Sequence, residues 1–282
     1  MIIALFFHTQ KPEALGVAMG VCKFLTAQGV SIVAEEKAAA LIHAQPLSSV
    51  DPASIDFLIS MGGDGTILRL FHHHPELTAP ILAVNMGSLG FLADIPMKDV
   101  YPSLQNLLEG RYIVQERIMM IGHLEGCSEQ CLAVNEIAIH RAVNPSLVDV
   151  AIYVDGSYLN TFSADGIIVA TPSGSTAYSL AAGGPILAPD IAAFVITPIC
   201  PHTISNRPIV LMPKKEIQMQ YISEHRPVEV ACDGIPFIHM ATQEAFHLRR
   251  AERSFRLVSM PHHDYFATLR TKLGWAGKLK TG

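Results

Sequence analysis

Short apolar runs alternate with helical patterns over the first 110 residues. Four apolar runs are strand-like: "IIALFFH", "VSIVAEE", residues 56–61, and "PILAVNMG". Between the runs, residues 12–29 have helical spacing, with Pro12 at the start and Gly29 at the end. Two further helices are predicted over about 65–74 and 98–110. Strands that alternate with helices predict right-handed crossovers and a mostly parallel sheet.

After Gly110 the pattern becomes mostly β. Nine segments have strand length and composition: "YIVQERIMMIGHL", "LAVNEIAIHR", "DVAIYVDGSYLNTF", "GIIVATP", "AFVITPI", "RPIVLMP", "EIQMQYIS", "VEVACDG" and "AFHLRRA". One helix is predicted to start near Ser175, and the tail 263–275 returns to helical spacing. We therefore predict a two-domain α+β protein with three parts: an α/β domain with a mostly parallel sheet over 1–110, a β-rich domain over 111–260, and a C-terminal helix within 261–282 that packs back on the body.

Composition and charge exclude several classes of protein. Half of the residues are hydrophobic (50%), yet no uninterrupted apolar run reaches the ~18 residues that a membrane span needs. The net charge is −5 and no basic run occurs, which disfavours nucleic acid as a partner. The five cysteines are odd in number and scattered, which favours a reducing compartment. We expect a cytoplasmic protein that binds neither a membrane nor nucleic acid.

The segment "GGDGT" follows an apolar strand and opens a helix. Its glycines let backbone N–H groups approach an anion, and the helix N-terminus adds partial positive charge. A carboxylate beside polyphosphate is costly unless it holds Mg²⁺ or accepts a proton from an attacking hydroxyl. Asp64 could do either, or it could simply cap the helix in a tight turn. The turn lacks the lysine of a Walker loop, and by itself it leaves these readings open.

Two further segments carry polar chemistry. Asn135 and Glu136 place an amide beside a carboxylate within the strand-like run "VNEIAIHR". Residues 163–185, "SADGIIVATPSGSTAYSLAAGGP", hold Asp165 before an apolar strand and then a second small-residue turn that opens a helix near Tyr178. This turn offers N–H donors, hydroxyls and an aromatic face, which suit phosphates and a base. A Ser175 helix cap explains only part of the stretch.

No metal ligand is assigned from the sequence. Cys127 and Cys131 have no second ligand pair at a metal-binding spacing. The run 72–74, three histidines, lies at the end of a predicted helix, where histidine is favoured by the helix dipole. The identity of a bound metal is therefore unknown from these residues.

In this order, the segments resemble the NAD kinase family. The motifs are "GGDGT", "NMGSLGFLAD", "NE", "DGIIVATPSGSTAYSLAAGGPI", "SNRPIV" and a late "CDG", over about 56–235. The resemblance implies transfer of the ATP γ-phosphate to the 2′-hydroxyl of the NAD adenosine ribose, which gives NADP. It further implies Mg²⁺ or another divalent metal with ATP, no bound prosthetic group, and assembly as a dimer or tetramer.

The resemblance also implies roles for individual residues. Asp64 is the catalytic aspartate that activates the 2′-hydroxyl. Many relatives carry a basic residue at the position of Ser88, and some carry one near Ser163, so Arg69 is our candidate for neutralising the polyphosphate. The implied substrate- and nucleotide-binding residues are Gly62, Gly63, Gly65, Thr66, Arg69, Phe91, Asn135, Glu136, Ser163, Asp165, Thr176, Ala177, Tyr178, Ser179, Leu180, Ala181 and Cys200.

Two other functions stay in view. Lipid kinases of the diacylglycerol and sphingolipid type carry a similar glycine turn, but they need a membrane-facing surface, and no basic amphipathic segment occurs here. A non-catalytic nucleotide sensor would keep the pocket and would have no need of Asp64. Incubation with NAD, ATP and Mg²⁺ separates these functions.

Overall fold

The structure is a computed structural model that describes residues 1–87, 89–203, 205–213, 215–261 and 264–275. The chain forms two compact units. Unit 1 comprises Met1–Gln115 and Arg256–Gly282, and unit 2 comprises Glu116–Phe255. The domain limits near 110 and 260 that the sequence suggests remain predictions.

Unit 1 is built on a mostly parallel sheet, as predicted. The strands are β1 Ile2–Phe7, β2 Ser31–Ala34, β3 Gln45–Pro46, β4 Phe57–Gly62, β5 Ile81–Asn85, β6 Ile95–Pro96, β7 Ile113–Arg117 and, from late in the chain, β20 Phe255–Ser259. Their order is β3-β2-β1-β4-β5-β20-β7, and β6 pairs with β5. The helices are α1 Pro12–Ala27, α2 Glu36–Ile42, α3 Asp64–His73, α4 Val100–Leu108 and α6 Tyr265–Leu273.

The core of unit 1 explains why these apolar runs form strands. The sheet residues Leu5, Ile59 and Leu82 are fully buried, and the α1 residues Val21 and Leu25 are buried in the same cluster. Burial of such side chains contributes roughly 1.5–3 kcal/mol each. Since the strands are parallel, β4 and β5 end at the same edge of the sheet, and ligand sites form at that edge in open α/β sheets.

Unit 2 consists of two antiparallel sheets. Their orders are β15-β14-β13-β10-β17-β18 and β12-β11-β16-β19-β8-β9. The two sheets share one apolar core that includes Ile137, Val150, Phe194, Tyr221 and Phe246. The strands are β8 Met120–Leu124, β9 Gln130–Ala133, β10 Glu136–His140, β11 Val148–Val154, β12 Ser157–Ala164, β13 Gly166–Ala170, β14 Phe194–Ile199, β15 Ile209–Leu211, β16 Ile217–Tyr221, β17 Val228–Cys232, β18 Ile235–Met240 and β19 Ala245–Arg250.

The structure refines several predicted elements. Three of the predicted strand segments are each two strands: β7 with β8, β9 with β10, and the β11–β12 hairpin. The helix predicted near Ser175 is a short 3₁₀ turn, Gly174–Thr176, followed by α5 Tyr178–Ala181. It ends early because the left-handed Gly183 (φ 88°) and then Gly184-Pro185 follow. Elements α2, β3, β6, β18 and β20 were not predicted.

Candidate functional site

The glycine turn lies at the carboxyl end of β4. Gly62 is the last strand residue, Gly63 is the extended N-cap of α3, and Asp64 is the first helical residue. Gly65 and Thr66 follow within the first helical turn. The predicted strand–turn–helix arrangement is therefore present, and the α3 N-terminus supplies N–H donors and partial positive charge at this point.

The Asp64 carboxylate is fixed by the loop that follows β5. Its Oδ2 accepts the Phe91 N–H at 2.8 Å, and its Oδ1 accepts the N–H groups of Leu92 at 3.0 Å and Ala93 at 2.8 Å. These bonds of the Asp64 side chain go to the loop and not to its own helix, whose N-cap is Gly63. Three consecutive backbone donors hold the half-buried carboxylate in one orientation.

Gly90 allows this close approach. A Cβ atom at position 90 would clash with the carboxylate oxygens of Asp64. The Gly90 N–H donates to the Ala93 carbonyl at 2.9 Å, and the buried Asn85 side chain donates to the same carbonyl at 3.1 Å and accepts the Gly87 N–H at 2.7 Å. The end of β5 and the loop after it therefore form a cradle for the carboxylate.

The C-terminal helix α6 packs on the same loop. The ring of Tyr265 lies 6.3 Å from the ring of Phe91, centroid to centroid, and Lys272 Nζ lies 5.4 Å from the Phe91 centroid. Such aromatic and cation–π contacts contribute about 0.5–1 kcal/mol each at partly exposed positions. This helix therefore supports the backbone that holds Asp64.

Arg69 is exposed on α3, and its Nη2 lies 3.5 Å from Thr66 Oγ1. This contact places a guanidinium beside the first turn of the helix. Ser88, the other position considered for phosphate neutralisation, lies outside the described residues.

In unit 2, Asn135 and Glu136 are brought together at the start of β10. The carboxylate of Asp233, after β17, accepts the N–H groups of Val134 at 2.9 Å, Asn135 at 2.7 Å and Glu136 at 3.1 Å. Both side chains of the pair are buried, with 7% of each residue exposed. The turn of the chain before β10 is therefore as tightly held as the loop around Asp64.

The buried polar atoms at this position point to a ligand. Asn135 Oδ1, Glu136 Oε2 and Ser173 Oγ are buried and have no hydrogen-bond partner within the described part of the chain. An unpaired buried polar atom costs about 1–3 kcal/mol. Burial, with a further contribution from the Asp233 charge, raises the pKa of Glu136 to about 8. Perturbed carboxyls and orphaned polar atoms together are typical of a binding site.

The small-residue turn 171–176 is docked on the same segment. Thr171 Oγ1 donates to the Val134 carbonyl at 2.6 Å, and the Thr171 N–H donates to the Asn135 carbonyl at 2.8 Å. A Cβ at Gly174 would collide with that Asn135 carbonyl. The turn therefore needs glycine there, and it carries Thr176, Ala177 and Tyr178 toward Asn135 and Glu136.

Asp165, Cys200 and Glu136 each lie within electrostatic reach of Tyr178. Burial raises the pKa of Tyr178, and the acidic groups of Cys200, Asp165 and Glu136 raise it further. Arg141 Nε donates to Asp165 Oδ1 at 2.8 Å, and both side chains are about one-third exposed. Unit 2 therefore gathers these predicted residues into one polar surface with an aromatic ring.

The remaining predicted residues differ in how available their side chains are. The hydroxyl of Ser179 is buried and 2.9 Å from Thr197 Oγ1, and Thr176 Oγ1 donates to the Ser173 carbonyl at 3.0 Å, so both hydroxyls serve the fold. Ser163 lies on β12 and Leu180 on α5, both half-buried, and Ala181 is exposed at the end of α5.

Sequence reasoning missed three residues that hold the site. These are Gly90, Asp233 and Arg141. Gly90 belongs to the quoted "NMGSLGFLAD", and Asp233 belongs to the quoted "CDG", an Asp-Gly turn directly after an apolar strand. Their contacts are to backbone atoms or carboxylates distant along the chain, which no local pattern reveals.

Comparisons with known proteins agree over nearly the whole chain. Residues 3–112 match the model of the ATP-NAD kinase N-terminal domain, and residues 134–260 match that of the ATP-NAD kinase C-terminal domain. Similar curated proteins include the NAD kinase of Protochlamydia amoebophila, 58% identical over 99% of this chain and 100% of that protein. Another is the NAD kinase of Geotalea daltonii, 39% identical over 97% and 98%.

Similar solved structures are also NAD or NADH kinases. Yeast NADH kinase complexed with NADH aligns with a TM-score of 0.87 and 25% identity, over 100% of this chain and 89% of that one. An NAD kinase from Archaeoglobus fulgidus in complex with ATP aligns with a TM-score of 0.77 and 26% identity, over 98% and 100%. The resemblance expected from the sequence is confirmed, and this chain belongs to the ATP-NAD kinase family.

Proposed function

We propose that the chain transfers the γ-phosphate of ATP to the 2′-hydroxyl of the adenosine ribose of NAD, with Asp64 as the general base. The observation that carries this proposal is the fixed carboxylate of Asp64 at the N-terminus of α3, beside a glycine turn. A group that only capped the helix would bind N–H groups of its own helix, whereas the Asp64 carboxylate binds those of residues 91–93.

The reaction assigned to Asp64 is a balanced displacement. The 2′-oxygen attacks the γ-phosphorus, the bond from that phosphorus to the bridging oxygen breaks, and ADP leaves. The 2′-proton passes to the Asp64 carboxylate. A positioned base of this kind accelerates a reaction by about 10²–10⁴-fold.

The groups around Asp64 are suited to bind ATP, the phosphate donor. The free N–H groups at the N-terminus of α3 and the glycine backbone can bind phosphate oxygens. Arg69 adds an exposed positive charge about one turn along the helix. These groups would stabilise charge that develops on the transferred phosphoryl group.

The unit 2 residues are suited to bind NAD, the phosphate acceptor. Asn135 Oδ1 and Glu136 Oε2 are buried atoms that a nucleoside could satisfy, and we assign them to the adenosine half of NAD. Thr176, Ala177 and Tyr178 line the adenine position, and Asp165 contacts the nicotinamide half. Arg141 holds the Asp165 carboxylate for that contact.

We assign the divalent metal to the ATP phosphates and not to a metal site formed by protein side chains. Across the described residues, no three His, Cys, Asp or Glu side chains cluster so as to hold a metal ion. We therefore propose that Mg²⁺ or a similar cation arrives bound to the ATP phosphates, and we derive no step through a metal that the protein holds.

We further propose a cytoplasmic homo-oligomer, a dimer or tetramer. All five cysteines are free thiols, which supports a reducing compartment. Among the described residues, no helix combines the length and the apolar character that a membrane crossing needs. Light scattering of the purified protein measures the oligomer size, and a monomer would contradict that part of the proposal.

The test is conversion of substrate by the purified protein. With NAD, ATP and Mg²⁺ we expect a product that an NADP-specific dehydrogenase reduces. In a parallel reaction, diacylglycerol vesicles replace NAD, and we expect no labelled lipid from γ-labelled ATP. NAD binding without NADP formation would indicate a sensor, and labelled lipid would indicate a lipid kinase.

A further inference from the structure

Asp233 occupies a strained turn between β17 and β18. Its backbone is left-handed, with φ 50°, and Gly234 follows with φ 76°. An L-residue other than asparagine or aspartate rarely adopts this conformation. The turn aims the Asp233 carboxylate at the backbone of residues 134–136, where the chain enters β10.

The hydrogen bonds of Asp233 match those of Asp64. Each carboxylate accepts three consecutive N–H groups: those of 134–136 for Asp233 and those of 91–93 for Asp64. The two bound segments differ in the side chains that they carry. The segment bound by Asp233 includes Asn135 and Glu136. The buried atoms Asn135 Oδ1 and Glu136 Oε2 have no hydrogen-bond partner among the described residues.

The environment of Glu136 disfavours its negative charge. Among the described residues, the titratable groups that interact electrostatically with Glu136 are Asp233 after β17, Cys232 on β17 and Tyr178 on α5, and each of these could only add negative charge. Cys131 on β9 shares a hydrogen bond with Cys232. Burial and the Asp233 charge raise the pKa of Glu136 to about 8, so near neutral pH its carboxyl carries a proton.

We propose that Asp233 is the positioning residue of the substrate pair Asn135–Glu136. It fixes their backbone with three hydrogen bonds, and its charge adds to the burial that makes Glu136 a neutral acid able to donate a hydrogen bond to the bound nucleoside. The inference rests on the proposed substrate role of Glu136. A protonated carboxyl has both a donor and an acceptor, as a ribose hydroxyl or an adenine edge requires.

The pH dependence of NAD binding follows from this proposal. Below about pH 8 Glu136 is neutral and NAD binds fully. As the pH rises through that value, the proton is lost and the affinity falls, by up to about tenfold per pH unit. Removal of the Asp233 charge lowers the pKa of Glu136, so the fall should begin at a lower pH.

The experiment measures NAD affinity by calorimetry, without ATP, between about pH 6 and 9.5. Asparagine tolerates the left-handed turn, so Asp233→Asn preserves the backbone. The change removes the charge, and its NH₂ group replaces one of the two oxygens that accept backbone N–H groups. Glu136→Gln supplies a neutral donor at every pH. The matched control is Asp155→Asn, since Asp155 has φ 50°, precedes Gly156, and accepts the Glu216 N–H at 3.0 Å in another Asp-Gly hairpin.

We expect Asp233→Asn to weaken NAD binding by about tenfold at the low end of the range, because hydrogen bonds to a charged group are lost. Its affinity should also fall at a lower pH than that of the wild type. Glu136→Gln should bind NAD with no fall up to high pH, and Asp155→Asn should match the wild type.

Two results would overturn the inference: an Asp233→Asn profile identical to that of the wild type, or loss of NAD binding in Glu136→Gln. If Asp233→Asn fails to fold, Asp233 is needed by the fold as a whole and a role confined to the substrate pair is contradicted. The Glu136→Gln profile then still tests the neutral acid, because that change leaves the three N–H bonds in place. A wild type that forms no NADP contradicts the proposed function. A wild type that forms NADP without the expected profiles contradicts only the role of Asp233.

Discussion

Gly90 and Asp64 lie so close that a Cβ atom at position 90 would overlap the Asp64 carboxylate. The contact results from the three N–H bonds of 91–93, which draw the loop backbone over the carboxylate. The orientation of the proposed base therefore depends on a residue that would not itself contact the substrate.

This relationship predicts that Gly90→Ala reduces turnover without reducing stability by a comparable amount. The methyl group must displace either the loop or the carboxylate, and a displacement of about 1 Å costs about 10²-fold in rate. Gly87→Ala is the matched control in the same loop, since a Cβ there would meet no atom within 4 Å. The measurement is kcat for both variants, with thermal melting alongside.

Equal kcat values for the two glycine variants would show that the carboxylate position has no effect on the reaction. A large loss in Gly87→Ala alone would indicate that the loop acts through another of its residues.

Asp64→Asn should change the preference between NAD and NADP. The carboxylate can accept a hydrogen bond from the 2′-hydroxyl of NAD, whereas the 2′-phosphate of NADP brings roughly two negative charges toward it. Neutralising Asp64 should therefore tighten NADP binding relative to NAD. Calorimetry without Mg²⁺ measures both affinities, and an unchanged ratio would mean that Asp64 does not face the 2′ position.

Arg69→Met should raise the KM for ATP about tenfold, the effect of losing one charge-assisted contact. The aliphatic stem is kept, so the loss reports the guanidinium. Arg111→Met is the control, because Arg111 is an exposed arginine in unit 1 that pairs with Glu109. If both variants keep the wild-type KM, Arg69 is a solvated helix residue and another cation neutralises the phosphates.

Glu136→Gln should stabilise the free protein as the pH rises. The folded protein has a Glu136 pKa of about 8, against an ordinary value of 4.5. Between these values the folded state binds more protons than the unfolded state, so its stability falls with rising pH, by at most about 1.4 kcal/mol per pH unit. Glutamine removes this penalty.

The measurement is the difference in melting temperature between Glu136→Gln and the wild type. It should be near zero at acid pH and grow to several degrees near pH 8. Glu129→Gln, at an exposed glutamate, should show no such growth. A difference that does not vary with pH would mean that Glu136 is ionised throughout.

The fold of unit 1 was largely predictable because its strands are apolar on both faces and its helices have clear limits. Pro12 starts α1 at the predicted residue, and the apolar run 57–61 ends at Gly62 as expected. Strand β20 was missed because it has only five residues and joins the sheet by pairing with β5 and β7, which are both far away along the chain. Such pairing depends on tertiary contacts that periodicity does not report.

The side chains of the candidate site were assigned from the sequence and stay predictions, whereas the groups that hold them in place could not be assigned from the sequence. Asp64 and Glu136 were assigned from their motifs. The N–H groups that hold Asp64 and the carboxylate of Asp233 belong to segments distant along the chain, and the choice of hydrogen-bond partners depends on the backbone path. The raised pKa of Glu136 likewise follows first from burial. Period-two alternation with Ile137 and Ile139 would expose Glu136, but residues 136–139 are all buried.

The most direct test of the account is the rate of NADP formation by Asp64→Asn at saturating NAD and ATP. Asparagine can keep the bonds to Leu92 and Ala93 through its Oδ1, but it cannot accept the 2′-proton. Asp51→Asn is the control, since Asp51 also accepts a backbone N–H, that of Ala53, at the start of a short helix. The account predicts a kcat about 10²-fold or more below that of the wild type for Asp64→Asn and an unchanged kcat for Asp51→Asn. A near-wild-type kcat in Asp64→Asn would contradict the role of Asp64 as the base.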